Sequence, residues 1–107
     1  MRIRAFQKLI HDTFHHLDTA RGIQGNFLWF IEEVGELAEA IRHRRTTKKS
    51  LEGEFADVMA WLMSLASLKG IDMEEALRKY AKGCPRCERV PCRCAHPEQK
   101  KAVGRRR

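Results

Sequence analysis

Apolar residues along this chain recur at steps of three and four, the period of a helix with one face turned inward. Ile3, Phe6, Ile10, Phe14 and Leu17 trace such a stripe and predict a first helix from about Ile3 to Thr19. Arg21-Gly22 marks its end, since glycine is common just past a helix C-terminus. Phe27, Phe30, Val34, Leu37, Ala38 and Ile41 form a broad arc and predict a second helix to about His43, with Asn26 as N-cap. A polar, basic connection runs from Arg44 to Ser50. Ser50 then caps a predicted third helix, from about Leu51 to Lys69, stopping at Gly70. Its predicted buried face is Leu51, Phe55, Val58, Leu62 and Leu65, while Met59 and Met63 project to another side. A helix apolar over more than half its circumference needs two partners. Asp72 opens a short fourth helix, from about Met73 to Lys82, and Glu75 three residues later gives a capping-box-like start.

The pattern predicts an all-α chain, a short antiparallel helical bundle. Proline is absent before Pro85, which suits long helices. Four short helices bury little surface, so the bundle is expected to be completed by oligomerisation. Beyond Gly83 the character changes. Residues 84–107 are poor in core residues and rich in Cys, Pro and Arg, so the expected division is a helical domain, 1–83, and a Cys-rich appendage with a basic tail, 84–107.

Charge follows the same division. The net charge is +7, yet residues 1–83 carry 13 Lys/Arg against 12 Asp/Glu. Residues 84–107 carry 8 Lys/Arg against Glu88 and Glu98. The basicity therefore belongs to the tail. Such a tail offers a contact for nucleic acid, although basic tails are usually solvated. No apolar run approaches a membrane span, and the N-terminus lacks a signal-peptide core, so a cytoplasmic protein without membrane contact is expected.

The acids between Phe30 and Leu62 are the candidate chemistry. Glu33/Glu36 and Glu54/Asp57 are each spaced i, i+3, on one helix face. Projection sets Glu33 and Glu36 beside the apolar arc of the second helix. It sets Glu54 within the predicted core stripe of the third, with Asp57 at the edge. Glu32 and Glu39 point away. The basic connection lets the two helices fold back on each other, so four carboxylates can meet at one interface. Two readings stand: solvated helix-surface acids, or ligands for a hard cation such as Mg²⁺. His11 and His15, spaced i, i+4, offer a weaker metal pair and read better as surface histidines.

Glu32-Glu33-Val34-Gly35-Glu36, a spacer of 17 residues, and Glu54-Phe55-Ala56-Asp57 together resemble the E-E-x-x-E … E-x-x-D signature of the MazG-like nucleotide pyrophosphohydrolases. The likeness covers roughly residues 5–80. It implies an all-α enzyme that cleaves a nucleoside triphosphate between the α and β phosphates, giving a monophosphate and pyrophosphate. It implies Mg²⁺, sometimes Mn²⁺, and sites built in homodimers or homotetramers. By position, Glu33, Glu36, Glu54 and Asp57 become the catalytic metal ligands, and Glu32 has a less defined role. Arg44, Arg45, Lys48 and Lys49 could bring positive charge to the phosphates, or form a solvated loop. Trp29 and Trp61, one turn from motif acids, could stack a base; Trp61 reads equally well as core. The rival expectation is a non-catalytic helical module that contacts nucleic acid or protein through its Cys-rich basic tail.

All four cysteines fall in C-x2-C-x4-C-x-C, at Cys84, Cys87, Cys92 and Cys94. Four thiolates suit structural Zn²⁺. Unligated cysteines, disulfides and, less well, an iron–sulfur cluster are the alternatives. Arg86, Arg89 and Arg93 would offset the charge of a four-thiolate site, and His96 is a substitute ligand.

Overall fold

The computed structural model describes residues 1–95; His96 and the basic tail lie outside them. Among the described residues the only regular elements are helical: α1 (Ile3–Arg42), α2 (Lys48–Leu68), α3 (Met73–Ala76) and a 3₁₀ turn, Leu77–Tyr80. No helix among them is long and apolar enough to cross a membrane. The chain divides into two compact units, Met1–Ala76 and Leu77–Arg107. The change of composition at Gly83 falls inside the second unit.

The first two predicted helices are one element broken at Gly22. There φ is 80° and ψ 170°, a combination open essentially to glycine alone. A single residue carries the whole break, and helix resumes at once. Asn26 is therefore not an N-cap. Its fully buried side chain donates from Nδ2 to the carbonyls of Asp18 (2.8 Å) and Gly22 (2.6 Å). Those carbonyls belong to the turn that the break interrupts, where intrahelical partners run out. Asn26 Oδ1 accepts from Arg21 Nη1 at 3.0 Å, and the same nitrogen lies 3.2 Å from Asp18 Oδ1. One amide thus clasps the kink from inside.

Helix α2 starts three residues before the predicted position. Its cap is Thr47, whose hydroxyl accepts from the Ser50 N–H at 3.1 Å, so Ser50 is the capped residue and not the cap. It ends as expected at Gly70: Ile71 N–H reaches Ala66 O (2.8 Å) and Gly70 N–H reaches Ser67 O (3.0 Å), a Schellman pair. Asp72 caps α3, its Oδ1 accepting from the Glu74 and Glu75 N–H groups at 2.9 and 3.3 Å. The predicted fourth helix is shorter than expected, because after one α turn it tightens to 3₁₀ and stops at Tyr80.

The part of α1 after Gly22 runs antiparallel to α2. Trp29 stacks on Trp61 (centroids 5.9 Å, planes 8° apart), and seven residues further along each helix, in opposite directions, Glu36 lies near Glu54. The part before Gly22 meets α2 as well. Gln7, buried, donates from Nε2 to Ser67 Oγ (3.1 Å) and to Ile71 O (2.8 Å), and its Oε1 accepts from Met73 N–H (2.9 Å). This one side chain fixes the α2–α3 turn to α1.

The fully buried positions of α2 lie beside the predicted face, most of which is half-buried. Met63, Ser64 and Ala66 are the buried residues, whereas Phe55 is 54% exposed. Of the predicted stripe, Leu51, Val58, Leu62 and Leu65 are half-buried, and Phe55 is the one that stays largely exposed. The same holds on α1, where Phe27 and Ile41 are 49% and 59% exposed. Both predicted faces of α2 are at least partly covered within the chain: Met59 is half-buried and Met63 fully buried on one, and four of the five stripe residues are half-buried on the other.

Candidate active site

The antiparallel pairing brings three of the four motif acids together. One carboxylate oxygen each from Glu33, Glu36 and Glu54 lies within 4.8 Å of the others. Glu33 and Glu54 are half-buried and Glu36 is exposed. The cause is local. An i, i+3 pair on α1 and the start of an i, i+3 pair on α2 fall at the same level of the seam, because the Thr47 cap and the His43–Thr47 connection fix the register.

Glu33 is the most constrained of the three. Its Oε2 is buried and has no hydrogen-bond partner. Burial, followed by the nearby Glu36, Asp57 and Glu54 carboxylates, pushes its pKa above the usual glutamate range. An acid held in this way takes a proton or a cation. The oxygen-only donor set matches a hard divalent ion such as Mg²⁺. By donor chemistry and by the orphaned oxygen, the residues fit such an ion.

Asp57 stands apart from this tight group, yet close enough to act on Glu33. It helps to line a cavity of about 210 Å³ together with Phe14, Asp18, Arg21 and Trp61. Arg21 lies over the Trp61 ring, 5.2 Å from its centroid. Trp29, 47% exposed, covers Trp61 by stacking. Glu32 and Glu39 are exposed, as projection required, and Glu39 pairs with Arg42 at 2.6 Å. His11 and His15 are exposed and stack on each other at 4.3 Å, and they join neither group of metal-ligating side chains found among the described residues.

A shallow concavity of about 440 Å³ opens beside the acids. Glu36, Glu54, His43, Arg45, Thr46, Thr47 and Ser50 contribute to its lining. Of the basic residues expected here, Arg45 borders it. Arg44 and Lys48 lie in the adjoining turn and first helical residue without lining it. Sequence reasoning did not single out His43 or the Thr46/Thr47/Ser50 hydroxyls. The polar composition of the connection was the available signal, but only its folded path shows which residues face the acids. The Asp18–Arg21–Asn26 cluster was also missed, because nothing in periodicity marks a buried polar clasp.

In the second unit the four cysteines also converge, their sulfurs within 4.8 Å of one another. Hydrogen bonds from the Cys87 and Arg86 backbone hold the Cys84 thiol down at about 6.

The family model described as the MazG nucleotide pyrophosphohydrolase domain matches residues 21–90, nearly two thirds of the chain, and includes all four motif acids. No curated protein matches the chain.

Proposed function

Because the chain belongs to the MazG nucleotide pyrophosphohydrolase family, we propose that it hydrolyses nucleoside triphosphates, NTP or dNTP, with Mg²⁺ or Mn²⁺ as cofactor. Water is added across the α–β anhydride, and the products are a nucleoside monophosphate and pyrophosphate. The observation that carries this reading is Glu33 Oε2, a buried carboxylate oxygen without a partner beside two further carboxylates. Glu33, Glu36 and Glu54 are the residues to hold the ion, and Asp57 adds a fourth carboxylate from the side of the neighbouring cavity. Bound there, the ion supplies charge neutralisation and phosphoryl polarisation for a triphosphate that otherwise repels its nucleophile.

The chain's own residues divide the remaining work. Arg45 and His43 border the concavity next to Glu36 and Glu54, where the phosphates would lie, and Arg44 and Lys48 add positive potential from the same connection. Phe14 and Trp61 wall the adjoining cavity and offer a flat, aromatic surface suited to a base, with Trp29 supporting Trp61 from its stack. A second copy of the chain is the natural cover for the half-exposed Phe27, Ile41 and Phe55, giving a homodimer or homotetramer. Four unpaired cysteines suit a reducing compartment, the cytoplasm.

The test is to incubate the purified chain with a panel of NTPs and dNTPs plus Mg²⁺ and to separate the products. Monophosphate with equimolar pyrophosphate is expected, abolished by Glu54→Ala. Diphosphate with orthophosphate, or no turnover of any nucleotide beyond that of Glu54→Ala, refutes the assignment.

A further inference from the structure

Among its described residues the second unit has no apolar core to hold it. From Leu77 to residue 95 no side chain is buried, and its large apolar residues, Leu77, Tyr80 and Val90, are all exposed. A segment this short does not keep one shape on so little burial; small folds of this kind are stapled by disulfides or a metal.

Its backbone is nevertheless closed tightly on itself. Cys84 N–H donates to Arg89 O (3.2 Å) and Glu88 N–H to Cys84 O (2.7 Å). Gly83 sits at φ 100°, and a Cβ there would stand 2.5 Å from Val90 Cγ2 and 2.7 Å from Arg89 O. Only a residue without a side chain lets the Arg89–Val90 segment approach so closely.

What this loop encloses is sulfur. Cys84 Sγ lies 3.7 Å from Cys94 Sγ, and Cys87 Sγ 4.0 Å from Cys92 Sγ. A tetrahedron with Zn–S bonds of about 2.3 Å has edges of about 3.8 Å, which is the spacing of these pairs. All four cysteines are free. Two backbone amides point at sulfur, Arg93 N–H at Cys87 Sγ and Cys94 N–H at Cys92 Sγ, both at 3.4 Å. Amides aimed at a sulfur favour its negative form, as the supporting hydrogen bonds of metal ligands do.

We propose that Cys84, Cys87, Cys92 and Cys94 bind one zinc ion, and that this ion is the folding core of the C-terminal unit. Soft thiolates select zinc over the hard ion proposed for the carboxylates. Four protein ligands close the tetrahedron and leave no position for a substrate, so the site is structural. Each thiol surrenders its proton on binding, and the resulting complex carries two negative charges. Arg86, Arg89 and Arg93, spread through the same loop, offset them. The site is independent of the pyrophosphohydrolase reading: it uses none of the motif acids.

The experiment uses the full chain, expressed with zinc in the medium and dialysed against metal-free buffer. Elemental analysis should find one zinc per chain and no iron. An organomercurial titration should release that zinc as four thiols are consumed. Cobalt exchanged for zinc should show the sulfur-to-cobalt charge-transfer and visible bands of a tetrahedral four-thiolate site. Cys84→Ser with Cys94→Ser should lower zinc to below about a tenth of an equivalent, while Glu54→Ala keeps it in full. Wild-type protein that is folded but free of zinc, iron in place of zinc, or zinc that survives the double substitution would each overturn the assignment. If the double variant is insoluble, the wild-type stoichiometry and the cobalt spectrum decide alone.

Discussion

Replacing Glu33 with glutamine should stabilise the metal-free protein while removing its response to metal. Three carboxylates share a space in which no two ligand oxygens are more than 4.8 Å apart. At that separation one pair of charges repels by about 3.5 kcal/mol at an effective dielectric of about 20, and by about 1 kcal/mol in water. Glu36 is exposed, so the lower half of that range applies to its pairs. Glu33 takes part in two of the three repulsions and also bears the burial of Oε2. Glutamine removes the charge and places an N–H₂ donor beside two carboxylate acceptors. Uptake of a proton already relieves part of the repulsion in the native chain, which trims the gain to about 1–2 kcal/mol. For a domain of this size each kcal/mol moves Tm by about 4–8 °C. The assay is thermal unfolding at fixed protein concentration, first in chelator and then across a Mg²⁺ titration. Wild type should start lower and climb with Mg²⁺; Glu33→Gln should start higher and stay flat. Its pyrophosphohydrolase activity should fall by about 100-fold or more, at least the loss seen when a supporting group of a metal site is removed. A variant less stable than wild type in chelator, with an unchanged Mg²⁺ response, would refute the view of these acids as a strained cation site.

Asn26→Ala should cost about 2–4 kcal/mol, since it strips the Asp18 and Gly22 carbonyls and Arg21 of buried partners; chemical denaturation measures it as a lower midpoint with unchanged slope. Gly22→Ala should cost about 1–3 kcal/mol although nothing lies within 4 Å of the new Cβ, because the penalty is the backbone conformation itself. The same denaturation series checks it, and Gly35→Ala, in ordinary helix with equally open space, should instead be neutral or slightly stabilising. The pH dependence has a definite sign. Glu33 titrates higher folded than unfolded, so the folded chain holds the extra proton in the window between the two values. Metal-free stability should therefore fall as pH rises from the ordinary glutamate range through the raised one, and saturating Mg²⁺ should abolish the fall. Melting curves across pH, with and without Mg²⁺, test this.

The helices were legible because their stripes are long and periodic. The stops at Gly22 and Gly70 were legible because glycine tolerates what other residues do not. What periodicity cannot express is the direction of a single polar side chain. Asn26 stands where an N-cap would stand, and it has the right chemistry for one. Only the one-residue break at Gly22 turns it inward, to carbonyls behind it. Thr47 and Ser50 are both good caps, and the choice between them was set by where the connection allowed α2 to begin. Gln7 looked like any polar residue on a helix edge, yet it holds the α2–α3 turn through three hydrogen bonds to distant residues.

The buried face of α2 was legible only in part, for a related reason. Hydrophobicity ranks Leu51, Phe55, Val58, Leu62 and Leu65 above Ser64 and Ala66, yet the stripe is half-buried apart from exposed Phe55, and full burial falls to Met63, Ser64 and Ala66. The acids escape this confusion because they violate the local pattern. A solvated glutamate on the polar side of a helix satisfies every rule and says nothing. Glu33 and Glu54, set against apolar neighbours on two helices that must pair, break the same rule at the same level of the seam. Two such violations that meet in space constitute a requirement for positive charge. The orphaned oxygen of Glu33 shows that the protein side chains around it do not meet that requirement.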